Sequence, residues 1–108
     1  MNEATFKRSL MKKLRSIPRS WFFSKEALAI RGIPDIIGIV DGTFVALEVK
    51  RSEGEASKVI GTIALQRFTI NKVTELGGFA SFVYPENVEY VLDSIMEFCF
   101  SNVSLMKH

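Results

Sequence analysis

The sequence predicts a three-layer α/β sandwich around one mixed sheet, with its elements in the order αβββαβα. Asp41-Gly42 lies between two apolar runs within residues 33–51, and this setting favours a β-hairpin because both residues accept positive φ. Residues 2–16 carry apolar side chains at a helical period. A helix at 63–76 precedes a buried strand at 79–84, which favours a parallel return of the chain to the sheet.

The first predicted helix, residues 2–16, is amphipathic and basic, with Asn2 as its N-cap. Its apolar side chains recur with a period near 3.6: Phe6, Leu10, Leu14 and Ile17. Glu3 projects from this apolar face towards whatever the face covers. The helix dipole and capping also favour an acid in the first turn, so a structural and a functional role for Glu3 are both open.

Pro18 ends this helix, and the aromatic run that follows predicts a short strand over residues 21–25. A loop over residues 26–33 leads from that strand into the hairpin. Lys25 precedes this loop and Arg31 lies within it, both near the predicted site. They are therefore candidate contacts for phosphate groups.

The two-residue loop at Asp41-Gly42 fixes the register of the hairpin. It pairs Val40 with Thr43, Ile39 with Phe44, Ile37 with Ala46, and Asp35 with Glu48. Directly opposed residues have Cβ atoms about 4.5–5.5 Å apart, which lets two carboxylates share one metal ion. Lys50 shares the face of Glu48, about 6.5–7 Å further along the strand. The alternate side chains point into a core: Val45, Leu47 and Val49.

Two interpretations of this charged cluster are open. One is a cross-strand salt bridge in which Asp35 or Glu48 pairs with Lys50. The other is a functional site, because burying charges without a purpose is costly. The Pro34-Asp35 pair at the register-matched position favours the site.

After Arg51 the sequence predicts a polar loop over residues 52–58 and then the helix at 63–76, with Thr62 as N-cap and Gly77-Gly78 as its stop. Gln66 lies in the first turn of this helix, on the face that packs against the sheet. It either caps the helix and bonds to backbone, or it reaches the carboxylate pair.

The last helix is predicted over residues 88–100, after Pro85 closes the strand at 79–84. It is apolar on more than one side, and Leu105-Met106 extend the apolar run. Excess apolar surface of this kind marks an interface, which predicts a homodimer. The alternative is that these residues pack on the first helix within one subunit.

Composition limits the classes of protein and site. The chain has 108 residues, enough for a single domain spanning residues 1–108. It contains one cysteine, Cys99, and one histidine, His108, which excludes a zinc site and leaves oxygen ligands that suit Mg²⁺ or Mn²⁺. No apolar run reaches the roughly 20 residues of a membrane span, and the N-terminus lacks a signal-peptide core. We expect a cytoplasmic protein without membrane contact.

Charge is distributed unevenly along the chain. Through Arg51 there are ten Lys and Arg against five Asp and Glu, which gives +5; from Ser52 onwards four against seven give −3. A basic surface favours a nucleic-acid backbone as partner. Basic helices are also commonly just solvated faces.

Four positions together resemble the PD-(D/E)xK nuclease superfamily, and within it the small VRR-NUC branch. That branch combines Gly-x-Pro-Asp, Glu-x-Lys, an acid on the first helix and a Gln after the core motif. The chain has Gly32-Ile33-Pro34-Asp35, Glu48-Val49-Lys50, Glu3 and Gln66 at these positions. It has Val49-Lys50-Arg51 where the branch is often described by Val-Arg-Arg. The resemblance covers nearly the whole chain and agrees with the predicted order of elements.

The resemblance implies a restriction-endonuclease-like fold and a Mg²⁺- or Mn²⁺-dependent endodeoxyribonuclease. The metal ligands implied are Asp35, Glu48, the Val49 carbonyl and Glu3, the last directly or through water. Lys50 would orient or deprotonate the attacking water, or stabilise charge, and Gln66 would position the lysine or the water. The candidate DNA contacts are Lys7, Lys25, Arg31 and Arg51.

Family members of this size resemble homodimers that cut branched DNA, including four-way (Holliday) junctions. Recognition of shape and backbone more than sequence suits that class. Two alternatives are kept open: a catalytically silent DNA-binding or assembly module of the same fold, and a restriction-type endonuclease that cuts at a short sequence.

Overall fold

The structure, a computed structural model, describes residues 2–25, 33–57 and 61–106. It is an α/β fold in which one four-stranded sheet carries helices on both faces. The elements in chain order are α1 (Glu3–Leu14), β1 (Ser20–Ser24), β2 (Ile36–Val40), β3 (Thr43–Val49), α2 (Glu53–Ala56), α3 (Gly61–Glu75), β4 (Phe79–Val83) and α4 (Val88–Met106). The strands lie in the order β1-β2-β3-β4. Pairings β1–β2 and β2–β3 are antiparallel and β3–β4 is parallel, so the predicted mixed sheet is confirmed.

The predicted hairpin register is confirmed, with Val40 opposite Thr43, Ile39 opposite Phe44, and Ile37 opposite Ala46. Both turn residues have positive φ, 47° at Asp41 and 87° at Gly42, as a two-residue turn of this kind requires. Arg19 holds the turn from outside: its carbonyl accepts a 2.8 Å hydrogen bond from the Asp41 N–H, and its guanidinium pairs with the Asp41 carboxylate.

Helices α1 and α4 cover one face of the sheet and form the core with it. From the helices the buried side chains include Phe6, Leu10, Leu14, Val91, Ile95 and Cys99. From the strands they include Phe22, Ile36, Val40, Val45, Leu47, Val49 and Val83. Cys99 is therefore a buried small side chain, as its apolar surroundings in the sequence predict.

The opposite face is covered only in part. Helix α3 packs against β3 and β4, where the Arg67 guanidinium lies 5.3 Å from the centre of the Phe82 ring. Strands β1 and β2 and the start of β3 carry exposed apolar side chains that cross-strand pairing puts on one face. We call them the sheet patch: Trp21, Phe23, Ile39 and Phe44, which are 68%, 45%, 45% and 45% exposed.

Three predicted boundaries are wrong. Residues 53–56 form α2 where a loop was predicted over 52–58, because Ser52 Oγ accepts a 3.2 Å hydrogen bond from the Glu55 N–H and caps a helical turn. Helix α3 begins at Gly61, so Thr62 lies inside it and is not its N-cap. Helix α4 continues to Met106 instead of ending near residue 100.

Most apolar side chains of α4 are packed within the subunit, whereas Tyr90 and Met96 are exposed. Val91, Ile95 and Cys99 are buried, and Leu92, Phe98 and Phe100 pack against the core. The structure describes side chains only as far as residue 100, so the side chains of Leu105 and Met106 lie outside the description. Arg31 and most of the predicted loop at 26–33 also lie outside the described residues. The intrasubunit alternative therefore accounts for most of the apolar excess of α4.

Among the residues that the structure describes, no helix is long and apolar enough to cross a membrane.

Gly38 on β2 permits the close packing of Phe22 from β1. A Cβ at residue 38 would lie 2.3 Å from Phe22 Cδ1 and 2.7 Å from the Trp21 carbonyl oxygen. We expect Gly38→Ala to destabilise the fold by about 1–3 kcal/mol, because the ring and the neighbouring backbone must shift. Urea denaturation measures the loss.

The matched control is Gly54→Ala, whose added Cβ would have its nearest contact at 3.8 Å from Ser52 Oγ. Alanine in a helix is favoured over glycine, so this variant should be as stable as the parent or more stable by up to about 1 kcal/mol. Equal stability of the two variants would contradict the packing role of Gly38.

Candidate active site

Asp35 and Glu48 lie at the open end of the β2–β3 hairpin, where the predicted register opposes them. Asp35 Oδ2 accepts a 2.9 Å hydrogen bond from the Val49 N–H, and its carbonyl accepts one of 3.1 Å from the Lys25 N–H. The N–H and C=O groups of one strand residue point to the same side, so the Val49 carbonyl is also directed towards the side of Asp35. The structure thus brings together three of the four predicted ligands.

Glu48 is the most deeply buried acid of the described residues, with 0% of the residue exposed. Its Oε1 accepts a 3.3 Å hydrogen bond from Gln66 Nε2, which confirms that Gln66 reaches the carboxylate pair. Within the described structure, Glu48 Oε2 and Gln66 Oε1 are buried oxygens without a hydrogen-bond partner. Unpaired buried acceptors are rare and call for a donor, a water or a cation. The oxygen donors therefore fit a hard divalent cation.

Burial and a neighbouring charge act together on Glu48. Loss of hydration raises its pKa most; the nearby Asp35 carboxylate raises it further, and Lys50 opposes the rise in part, leaving the pKa at about 8. With a pKa of about 8, Glu48 holds a proton at neutral pH when no cation is bound. A bound cation would take the place of that proton.

Lys50 lies directly after β3 and is only 8% exposed. Its backbone N–H donates a 2.9 Å hydrogen bond to the Val83 carbonyl, which ties it to β4. Among the described residues its ammonium has no ion pair with Asp35 or Glu48, so the structure lacks the salt bridge of the first interpretation. The positive charge still acts on the site, because it lowers the pKa of Glu48 and of Glu3.

Glu3 is exposed at the start of α1, at the margin of the site. Its pKa is raised, first by partial loss of hydration and then by the negative charges of Asp35 and Glu55. In the described ranges, however, no group of three or more His, Cys, Asp or Glu side chains is placed to hold a metal ion. Direct ligation by Glu3 beside Asp35 and Glu48 is therefore not supported.

Glu55 on α2 lies close enough to Glu3 to raise its pKa, and Glu55 was not predicted from the sequence as a site residue. Arg51 Nε donates a 2.9 Å hydrogen bond to Glu55 Oε2, and this bond lowers the pKa of Glu55. Ser52-x-x-Glu55 is a capping-box pattern that predicts this turn, and Arg51 lies four residues before Glu55. Arg51, a predicted DNA contact, is thus ion-paired although its side chain is largely exposed.

Of the other predicted DNA contacts, Lys7 lies on α1 beside a groove that also contains Glu3. Lys25 adjoins Asp35 through its backbone. Comparison with known proteins adds nothing to these assignments: no protein-family model, curated protein or solved structure matches the chain.

The raised pKa of Glu48 predicts how stability depends on pH. The folded state holds the proton up to a pKa of about 8, whereas the ordinary value is 4.5. The contribution to stability is therefore complete below about pH 4.5 and is lost as the pH rises to about 8. We expect the metal-free protein to lose on the order of 1–3 kcal/mol of unfolding free energy from pH 5 to pH 8.

Chemical denaturation in EDTA at several pH values measures this loss. Glu48→Gln is the control, because a neutral amide of the same shape should flatten the dependence. Mg²⁺ or Mn²⁺ should restore stability at pH 8 in the parent and less in the variant. An equal pH dependence in parent and variant would show that Glu48 is not the titrating group.

Proposed function

We propose that the protein is a Mg²⁺- or Mn²⁺-dependent endodeoxyribonuclease of restriction-endonuclease-like fold that hydrolyses phosphodiester bonds in branched DNA. The observation that carries the proposal is the buried Glu48 Oε2, which has no hydrogen-bond partner in the described structure and lies beside Asp35. Without a cation, two acids at this place oppose each other. With one, they form the centre of a hydrolytic site.

The residues of the site have distinct roles in this proposal. Asp35, Glu48 and the Val49 carbonyl would hold the divalent cation, which when bound lowers the pKa of water and neutralises charge on the phosphate. The hydrogen bond from the Val49 N–H fixes the Asp35 carboxylate, and the hydrogen bond from the Gln66 amide orients the Glu48 carboxylate.

Lys50 supplies the remaining charge. Since its ammonium is held near both acids without an ion pair to either, it is available to orient the attacking water or to stabilise negative charge on the phosphate oxygens. Glu3 acts from the margin of the site, through water. Preference for branched DNA, including four-way junctions, follows from the resemblance to the VRR-NUC branch.

The sheet patch supports a homodimer better than α4 does. Its four side chains bear roughly 400 Å² of exposed apolar surface, taking about 150–250 Å² for a whole aromatic side chain. A standard interface buries about 800 Å² per partner and combines an apolar centre with a polar rim. The patch is of the right size for the centre of a two-fold interface, in which each copy supplies the same surface.

The first test is cleavage of a panel of labelled DNA structures, with four-way junctions, flaps and linear duplex, in Mg²⁺ and in Mn²⁺. We expect Asp35→Asn and Glu48→Gln to lower the rate by more than about 100-fold. Both should melt no lower than the parent without metal, because each relieves like-charge repulsion. Lys50→Ala should retain metal binding by calorimetry and lose about 100- to 10,000-fold in rate.

Glu86→Gln removes an exposed charge outside the site and is the matched control, with an unchanged rate expected. Near-parental cleavage by Asp35→Asn would mean that the site is wrongly placed. DNA binding without cleavage by the parent would indicate the silent binding module, and cutting of linear duplex at one fixed site would indicate the restriction-type enzyme.

The second test concerns the dimer. We expect sedimentation equilibrium at micromolar concentration to give about 24 kDa, twice the 12.2 kDa of one chain. Trp21→Lys should yield the monomer by placing a charge within the interface, whereas Tyr90→Lys on the exposed side of α4 should remain dimeric. Dissociation by Tyr90→Lys alone would assign the interface to α4, and a single-chain mass for the parent would exclude the dimer.

A further inference from the structure

A groove of about 750 Å³ lies between α1 and the outer strand β1. Lys7, Arg8 and Arg15 from α1 supply its positive charge, and Phe23 and Ser24 line it from β1. Glu3 lies at the end nearest to Asp35, whose negative charge helps to raise the pKa of Glu3. The groove therefore opens at the margin of the candidate active site.

The positive charge of this groove is not neutralised within the described chain. Several other cations are: Lys13 pairs with Glu89, Arg19 with Asp41, and Arg51 with Glu55, whereas Lys12, outside the groove, has no ion pair among the described residues. The groove cations Lys7, Arg8 and Arg15 have no ion pair among the described residues. Ser24 Oγ, which is buried at the groove, has no hydrogen-bond partner there either. Unneutralised cations in a concave surface attract a polyanion.

The helix sets the distances along the groove. A rise of 1.5 Å per residue places Lys7 about 6 Å and Arg15 about 18 Å along the axis from Glu3. One strand of B-form DNA advances about 3.4 Å per nucleotide. These distances correspond to about two and about five nucleotides from the position of Glu3.

We propose that this groove binds the phosphodiester backbone of the DNA strand that leaves the candidate active site, over a span of about two to five nucleotides counted from Glu3. The inference rests on the proposed function for the position of the scissile phosphate beside Asp35 and Glu48. It adds Arg8, Arg15 and Ser24 to the DNA-binding surface. Since the cations meet phosphates and not base edges, the binding is independent of sequence and weakens with salt.

The experiment measures binding separately from hydrolysis. Fluorescence anisotropy in EDTA measures the affinity for a labelled branched DNA. One arm of this DNA is trimmed to between zero and ten nucleotides from the branch point, in one series as duplex and in another as single strand. For the parent we expect affinity to rise with arm length over a window of about four nucleotides, the span from Lys7 to Arg15, and then to level off. The arm type that shows this rise identifies the form of strand that the groove takes.

Arg8→Ala/Arg15→Ala should remove this rise. It should also lower the slope of log Kd against log salt concentration by about two, one for each phosphate contact. Lys12→Ala/Lys13→Ala is the matched control, because it removes two positive charges from the same helix outside the groove. The control should keep the dependence on arm length, and both variants should melt like the parent.

Equal loss in the two double variants would overturn the proposal, since general charge would then explain binding. Affinity that does not depend on arm length in the parent would overturn it too. If the parent cleaves no DNA in Mg²⁺ or Mn²⁺ but shows the arm-length dependence, the proposed hydrolysis fails while the groove is retained.

Discussion

The structure depends on one constraint: a carboxylate that is removed from water beside a second carboxylate. Glu48 is wholly buried, and Asp35 lies close enough to raise its pKa. An isolated buried charge is costly, so the fold must supply a proton, a donor or a cation at this point. The single hydrogen bond from the Gln66 side-chain amide and the nearby charge of Lys50 meet this need only in part. The remaining demand is what makes the cluster chemically useful.

The geometry of the hairpin turn determines this constraint. Asp41 and Gly42 set a two-residue turn, and a slip of one residue would move Glu48 to the opposite face of β3. On that face lie the buried side chains of α1 and α4, so the slipped register would bury the Glu48 charge against them and would move Val45, Leu47 and Val49 out of the core. Apolar packing on one face and the charged cluster on the other therefore select the same register.

Much of the fold and the central part of the site could be predicted from sequence because their signals are local. The Asp-Gly turn fixes the opposition of Asp35 and Glu48 by counting, and helical period places Gln66 on the inner face of α3. Glu55 was missed because a short capped turn resembles a polar loop when only composition is considered. The uncovered half of the sheet was not predictable either, since exposure of Trp21 and Phe44 depends on where α3 packs. The helical period of α4 does not show which of its apolar residues are buried, because α1 and the sheet pack against more than one side of this helix.

The separation of the site residues along the chain bears on the order in which the molecule folds. Asp35 meets Val49 across 14 residues, within one hairpin, whereas Gln66 reaches Glu48 only after α3 has packed, and β4 joins β3 through pairs such as Val45 with Phe79. Short loops close before long ones. We therefore expect the carboxylates to meet while still hydrated and to lose their water when α3 docks, so that electrostatic repulsion opposes a late step of folding. If the proposed divalent cation binds at that step, it should speed the docking of α3.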